Sequence, residues 1–376
     1  MNIQMVDLQR QYERLKSEIN EAVHDAMEAG IFINGPQVST FCGHLADYLN
    51  VPHVIPCGNG TDAIRLALRS LRMQPGEEVI LPAFTYISAV EMVASLGLTP
   101  ILVDVDPDTY NINAELLEAA ISRRTRAIIV VHLFGQSCDM EPVMELAKKY
   151  KIAVIEDNAQ SLGADYTFSD GNIQKAGTIA HIGTTSFFPT KPLACYGDGG
   201  AVITSDDQTA ECIFMLANHG QSAKYHHKIV GCNSRLDTLQ AAILDVKLKY
   251  LDRFTEARRR VAQLYDQTLR PLDEIQIPGK APFSTHVYHQ YTIRVKDGRR
   301  EVLRAYLNEN KIPAAVYYPL PVHEQEAYKW VARISGNADV ASQLSKEVIS
   351  LPVHTEMTDG EQQYIIETII KFFRKI

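Results

Sequence analysis

The chain has 376 residues, 46% of them hydrophobic, with a formal net charge of −8. That length is more than one small core needs and points to two domains, or one large domain with an appendage. The acidic balance argues against a nucleic-acid footprint, which needs a basic face. Apolar runs such as 127–131 are far too short to span a bilayer, so no membrane segment is expected.

The start of the chain carries Asp7, Arg10, Glu13 and Arg14 with no basic flank and apolar run, so no signal peptide is expected. Leu8, Tyr12, Leu15, Ile19, Val23 and Met27 recur at helical spacing and predict a helix over 5–29, stopped by Gly30. From about 50 to 205, β-branched runs at 79–81, 101–103, 127–131, 153–155, 184–188 and 201–203 alternate with amphipathic stretches at 61–73, 87–96, 114–122 and 140–150. Such alternation implies an α/β fold with a mostly parallel sheet covered on both faces. Active sites in these sheets gather at the carboxyl ends of the strands.

A long helical pattern follows over roughly 235–268. Beyond it the texture changes to strand (289–295), helix (300–308), strand (314–318) and a last helix (358–373), which reads as a smaller α+β domain. The expected division is a large domain, 1–245, including the first helix, and a small C-terminal domain, 246–376. Cys42, Cys57, Cys138, Cys195, Cys212 and Cys232 are scattered with no Cys-x-x-Cys pair. Neither a metal site nor a disulfide framework is expected, and a reducing cytoplasm fits best.

Three clusters carry candidate chemistry. Cys57-Gly58-Asn59-Gly60-Thr61-Asp62-Ala63 joins a short strand to an amphipathic helix. Glycines and free N–H groups at a helix start suit a phosphate. As a dinucleotide fingerprint the cluster is weak, because Glu77 and Glu78 precede the next strand instead of ending it. The ordinary alternative is a tight turn capped by Thr61 or Asp62. The second cluster, Glu156-Asp157-Asn158-Ala159-Gln160-Ser161, puts two acids at the end of an apolar strand. A carboxylate there needs a cation or strong donors; a protonated pyridine nitrogen qualifies, and a helix cap is the commoner case.

The third cluster runs from Ser186 to Gly200 and holds Lys191 between two prolines, before a glycine-rich turn. Most lysines are solvated surface charges. One placed among apolar and turn residues after a buried strand becomes a usable amine nucleophile when desolvated. A Schiff-base lysine, an acid for a pyridine nitrogen and a phosphate cup are the three needs of pyridoxal 5′-phosphate.

With Pro82-Ala83-Phe84-Thr85-Tyr86, Val103-Asp104-Val105-Asp106 and Asn233-Ser234-Arg235-Leu236-Asp237, these clusters resemble the DegT/StrS-type sugar aminotransferases, a branch of the fold-type-I pyridoxal-phosphate enzymes. The resemblance spans nearly the whole chain. It implies that Lys191 binds the cofactor and shuttles a proton, and that Asp157 keeps the pyridine nitrogen protonated. It implies that Gln160 contacts the ring oxygen, Tyr86 stacks on the ring, and Gly60, Thr61 and Ser186 bind the phosphate. Asn233 is expected to reach the phosphate of the neighbouring subunit, giving a homodimer with shared sites. The ordinary alternative for Asn233 and Arg235 is a plain helix start.

Within the family the sequence resembles enzymes of UDP-3-keto sugars, above all those making the 3-amino derivative of UDP-N-acetylglucosaminuronic acid. Such enzymes take the amino group from L-glutamate and serve bacterial surface polysaccharide or lipid A synthesis. Arg235 is then a candidate partner for an acidic sugar, since a guanidinium matches a carboxylate. His226, His227, Tyr317, Tyr318 and His323 are candidates for the nucleotide-sugar pocket. Where relatives carry His-Tyr-Pro, this chain has Tyr317-Tyr318-Pro319. The alternatives are a 4-keto-sugar aminotransferase, a dehydratase on the same scaffold, a nicotinamide-dependent dehydrogenase and a non-enzymatic regulator. The dehydratase relatives replace the lysine with histidine, so Lys191 argues against that one.

Overall fold

Helix α1, Leu8–Ala29, forms where the periodicity predicts it, with Asp7 accepting the Arg10 amide at its start. Its buried Leu15 and Ile19 pack against Ile243, Val246 and Phe254. The computed structural model describes residues 3–374. Helix α2, Pro36–Leu49, follows and was not predicted; its apolar face (Val38, Phe41, Leu45, Leu49) packs beside the strands near the site.

The predicted alternation builds one eight-stranded sheet. Its first five strands are β1 (His53–Cys57), β2 (Glu78–Pro82), β3 (Thr99–Val103), β4 (Thr125–Val131) and β5 (Ala153–Asp157). Strands Ile182–Ser186, Gly200–Thr204 and Arg333–Ile334 complete it, in the spatial order β1, 200–204, 182–186, β5, β4, β2, β3, 333–334. Only strand 200–204 runs against the rest. The central strands are apolar on both faces: Val79, Ile80 and Leu81 are all fully buried, as are Ile128, Ile129 and Val130. That continuous burial is what a sheet sandwiched between helices requires. Chain order reverses between β2 and β4, so the loops after these strands splay apart and open a crevice at their carboxyl ends.

The long helical pattern over 235–268 resolves into two helices, Thr238–Leu248 and Leu251–Leu269, broken at Lys249–Tyr250. Farther on, strands Ile275–Gln276, Tyr291–Val295 and Val348–Leu351 form an antiparallel sheet. Helices Leu251–Leu269, Arg300–Glu309 and Asp359–Arg374 share its core, as does Ile3. The expected strand 314–318 does not form. Only Ala315 bridges the sheet, at Ser350, because Val316, Tyr317 and Tyr318 leave to pack on the core of the large sheet. The unpredicted strand 348–351 takes the place beside Tyr291–Val295. No helix among the described residues is long and apolar enough to cross a membrane.

Candidate active site

In register, Asp157 lies between Val131 of β4 and Thr184 of the next strand, so its position is fixed from both sides. Pleating turns consecutive side chains to opposite faces. Glu156 turns inward and accepts from His132 Nε2 at 2.8 Å and from the amides of Gly177, Ile179 and Ala180 at 2.7, 2.8 and 2.6 Å. The Cys138 amide donates to His132 Nδ1, so the proton that His132 gives to Glu156 sits on Nε2. Asp157 turns into a cavity of about 500 Å³ and, among the described residues, accepts only the Ala159 amide, at 3.1 Å. Burial raises its pKa, against the opposing pull of that amide and of the Lys191 charge.

The cavity also collects Gly60, Thr61, Tyr86, Gln160, Ser186, Lys191, Tyr317 and Tyr318 from the sequence-predicted set. Gly60 opens helix α3, Gly60–Ser70, whose cap Asn59 accepts the Asp62 amide at 2.8 Å. A Cβ on Gly60 would stand 2.7 Å from Ser186 Cβ, so only glycine lets this helix start close on that strand end. The result is a helix N-terminus, a threonine and a serine converging on one wall, a ready anion cradle. Lys191 sits in the turn after strand 182–186, its amide donating to the Phe188 carbonyl. Its amine lies in the cavity, where burial lowers its pKa and Asp157 pulls the other way.

Gln160 is locked by its neighbours. Its Oε1 accepts the Phe134 amide at 2.8 Å, which turns Nε2 toward the Tyr318 hydroxyl at 3.2 Å. Phe134 delivers that amide from a left-handed conformation (φ 59°), just after β4. Tyr86 stays 56% exposed at the mouth, its ring centroid 6.0 Å from that of Tyr318.

The other predicted residues lie outside this cavity in the single chain. His226 and His227 sit on an exposed two-stranded hairpin, with Nδ1 of His227 at 2.9 Å from the His219 carbonyl. Asn233 is exposed, and Arg235 donates to Asn218 at 3.2 Å. His323 meets Ser342 at 3.2 Å.

Residues 13–370 match the model of the DegT/DnrJ/EryC1/StrS aminotransferase family. The chain belongs to that family. It is similar to a "pleiotropic regulatory protein" of Geobacillus stearothermophilus, 43% identical over all of this chain and 99% of that one. It is also similar to the UDP-2-acetamido-2-deoxy-3-oxo-D-glucuronate aminotransferase of Pseudomonas aeruginosa, 43% identical over 94% of this chain and 95% of that protein. Among solved structures, Streptomyces venezuelae DesV in complex with a ketimine intermediate superposes with a TM-score of 0.95 at 35% identity, over 100% of this chain and 99% of that one.

This family member is a pyridoxal-phosphate-dependent aminotransferase with the fold-type-I α/β architecture. The residues present fit that cofactor. The cavity lining brings together an anion cradle, an amine of lowered pKa and a carboxylate with few donors. Sequence reasoning missed Phe134, His289 and Gln290, which also line it. His289 and Gln290 come from the loop before strand 291–295, far along the chain, and no local pattern marks them.

Proposed function

We propose that this aminotransferase moves the amino group of L-glutamate to C3 of a UDP-3-keto-N-acetylglucosamine or its uronic acid, for surface polysaccharide or lipid A synthesis. Support comes from the likeness to a 3-oxo-glucuronate aminotransferase over nearly the full length. The observation that carries the chemistry is the convergence of Lys191 and Asp157 in one buried cavity.

Bound there, pyridoxal phosphate supplies a ring that withdraws electrons from the carbon bearing the nitrogen. Lys191 would hold the cofactor through its amine, whose pKa is lowered by burial. Its amine would also move the proton at the substrate carbon. Asp157 would keep the ring nitrogen protonated; that cation would add a partner to a buried carboxylate which, among the described residues, accepts only from the Ala159 amide. Gln160 would contact the ring oxygen, Tyr86 would stack on the ring, and Gly60, Thr61 and Ser186 would hold the phosphate.

We assign Tyr317 and Tyr318 to the sugar pocket, with Arg235, His226, His227 and His323 at its periphery. The exposed positions of Asn233, His226 and His227 support a homodimer in which these residues serve a neighbour's site. We place the enzyme in the cytoplasm.

The test is the visible spectrum of the protein mixed with pyridoxal phosphate. A band that forms and bleaches with L-glutamate, followed by amination of UDP-3-keto but not 4-keto sugars, is the expected result. Lys191→Ala is expected to lose the band and at least about 10⁴-fold in turnover. Sustained turnover by that variant overturns the role of Lys191, and preference for 4-keto sugars overturns the C3 assignment.

A further inference from the structure

His289 is a buried side chain, 5% exposed, that lines the same cavity as Lys191. Among the described residues its Nδ1 is shielded from solvent yet has no hydrogen-bond partner. The backbone of its neighbours, by contrast, is fastened on both sides. The Val287 amide donates to Gly135 at 2.7 Å, the Gln290 amide to Phe134 at 3.2 Å, and Arg258 Nη1 to the Tyr288 carbonyl at 3.3 Å. Gly135 has φ 123°, and a Cβ there would stand 2.8 and 2.9 Å from the amides of Tyr288 and His289, so the loop after β4 admits this approach only with glycine. His286 Nδ1 accepts the Tyr288 amide at 2.9 Å, and its ring stacks on that of Tyr288 at 3.9 Å. Together these contacts fix the segment that places the His289 imidazole, with its unpartnered Nδ1, on the cavity wall.

We propose that His289 is a positioning residue for amino transfer: its neutral ring accepts a hydrogen bond from the amino group of Lys191 whenever that group is free and carries the proton, a role that rests on Lys191 being the cofactor-binding lysine. Burial, then the charges of Lys191 and Arg258, holds the His289 pKa well below the usual imidazole range. A ring that stays neutral remains an acceptor and does not take the proton away from Lys191. Arg258 is itself anchored away from the cavity, donating to the Val353 carbonyl at 2.8 Å as well as to Tyr288. It thus acts as a fixed positive charge behind the imidazole.

The experiment uses the full chain loaded with pyridoxal phosphate, with His289→Leu, which removes the acceptor, and His289→Gln, which restores one. The rate of glutamate-driven bleaching is expected to fall on the order of 10- to 100-fold in His289→Leu. KM for glutamate should stay near its original value, and the isotope effect with α-deuterated glutamate should rise. His289→Gln is expected to recover most of the rate. A second readout needs no turnover. In protein loaded with pyridoxamine phosphate, where Lys191 is free, the ¹⁵N signal of His289 should be that of a neutral ring accepting at one nitrogen. It should move when Lys191 is changed to Ala. A raised KM with unchanged kcat, or a ¹⁵N signal indifferent to Lys191→Ala, overturns the proposal and leaves His289 to substrate or water. Loss of the visible band in Lys191→Ala, with no effect of either His289 variant, overturns only the role of His289. Survival of the band in Lys191→Ala instead overturns the assignment of Lys191.

Discussion

Glu156 and Asp157 are consecutive buried carboxylates at the end of β5, yet among the described residues the first accepts from His132 and three backbone amides while the second accepts from one amide only. The difference arises from the pleat, which turns Glu156 toward the loop at 176–180 and Asp157 toward the cavity. A satisfied buried acid stabilises the fold, whereas an unsatisfied one is available to a ligand. The same contrast recurs between His286, which is hydrogen-bonded and stacked, and His289, which is not.

The comparison breaks most visibly at Asp157. Asp157→Asn is expected to slow both half-reactions on the order of 10³-fold, about 4 kcal/mol of barrier, in stopped-flow bleaching. The cofactor-free variant should melt higher than the unaltered protein at neutral pH. The raised pKa means that the folded state binds the Asp157 proton more tightly than the unfolded state does. The stability contributed by this group is therefore lost as pH rises through that pKa, and a neutral amide removes the loss. A lower melting temperature would show that Asp157 belongs with Glu156 after all.

Glu156→Gln should do the reverse. An amide nitrogen would face backbone N–H groups, at a cost of about 3 kcal/mol in denaturant unfolding. Cofactor-loaded protein that still folds should keep kcat within a few-fold; a rate collapse with intact stability would move Glu156 into the chemistry.

His286 gives a smaller effect with a defined sign. Burial, then the charges of Lys280 and Arg259, depresses its pKa from 6.5 to about 3. Its contribution is fully present above pH 6.5 and is lost as pH falls toward 3, amounting to about 2 kcal/mol by pH 5. His286→Gln should flatten that part of the acid-unfolding curve. The smallest expected effect is Gly60→Ala. Its methyl group meets Ser186 and should weaken pyridoxal-phosphate binding about tenfold, roughly 1.4 kcal/mol, measured by titrating the visible band.

Much of the large sheet was legible in the sequence, because burial on both faces leaves unbroken β-branched runs such as 127–131. Lys191, Asp157 and the glycine-rich helix start were legible because each sits in a dense local motif. Strand 314–318 was misread because its apolar residues serve the large core instead of the sheet beside them. Helix α2 was missed because its pattern, which includes Ser39, Thr40 and Gly43, is weakly amphipathic.

By itself, the sequence determined the alternating α/β core, the helix that precedes it and the motifs whose residues the fold gathers around one cavity, since hydrophobic periodicity and motif spacing are local properties of a chain. Only the tertiary structure decided that Glu156 and Asp157 differ, that the left-handed Phe134 orients Gln160, and that His289 enters the cavity unpaired. Each of these depends on which backbone amides a distant loop brings within about 3 Å, and hydrogen bonding at that range is not written in the sequence around any one residue.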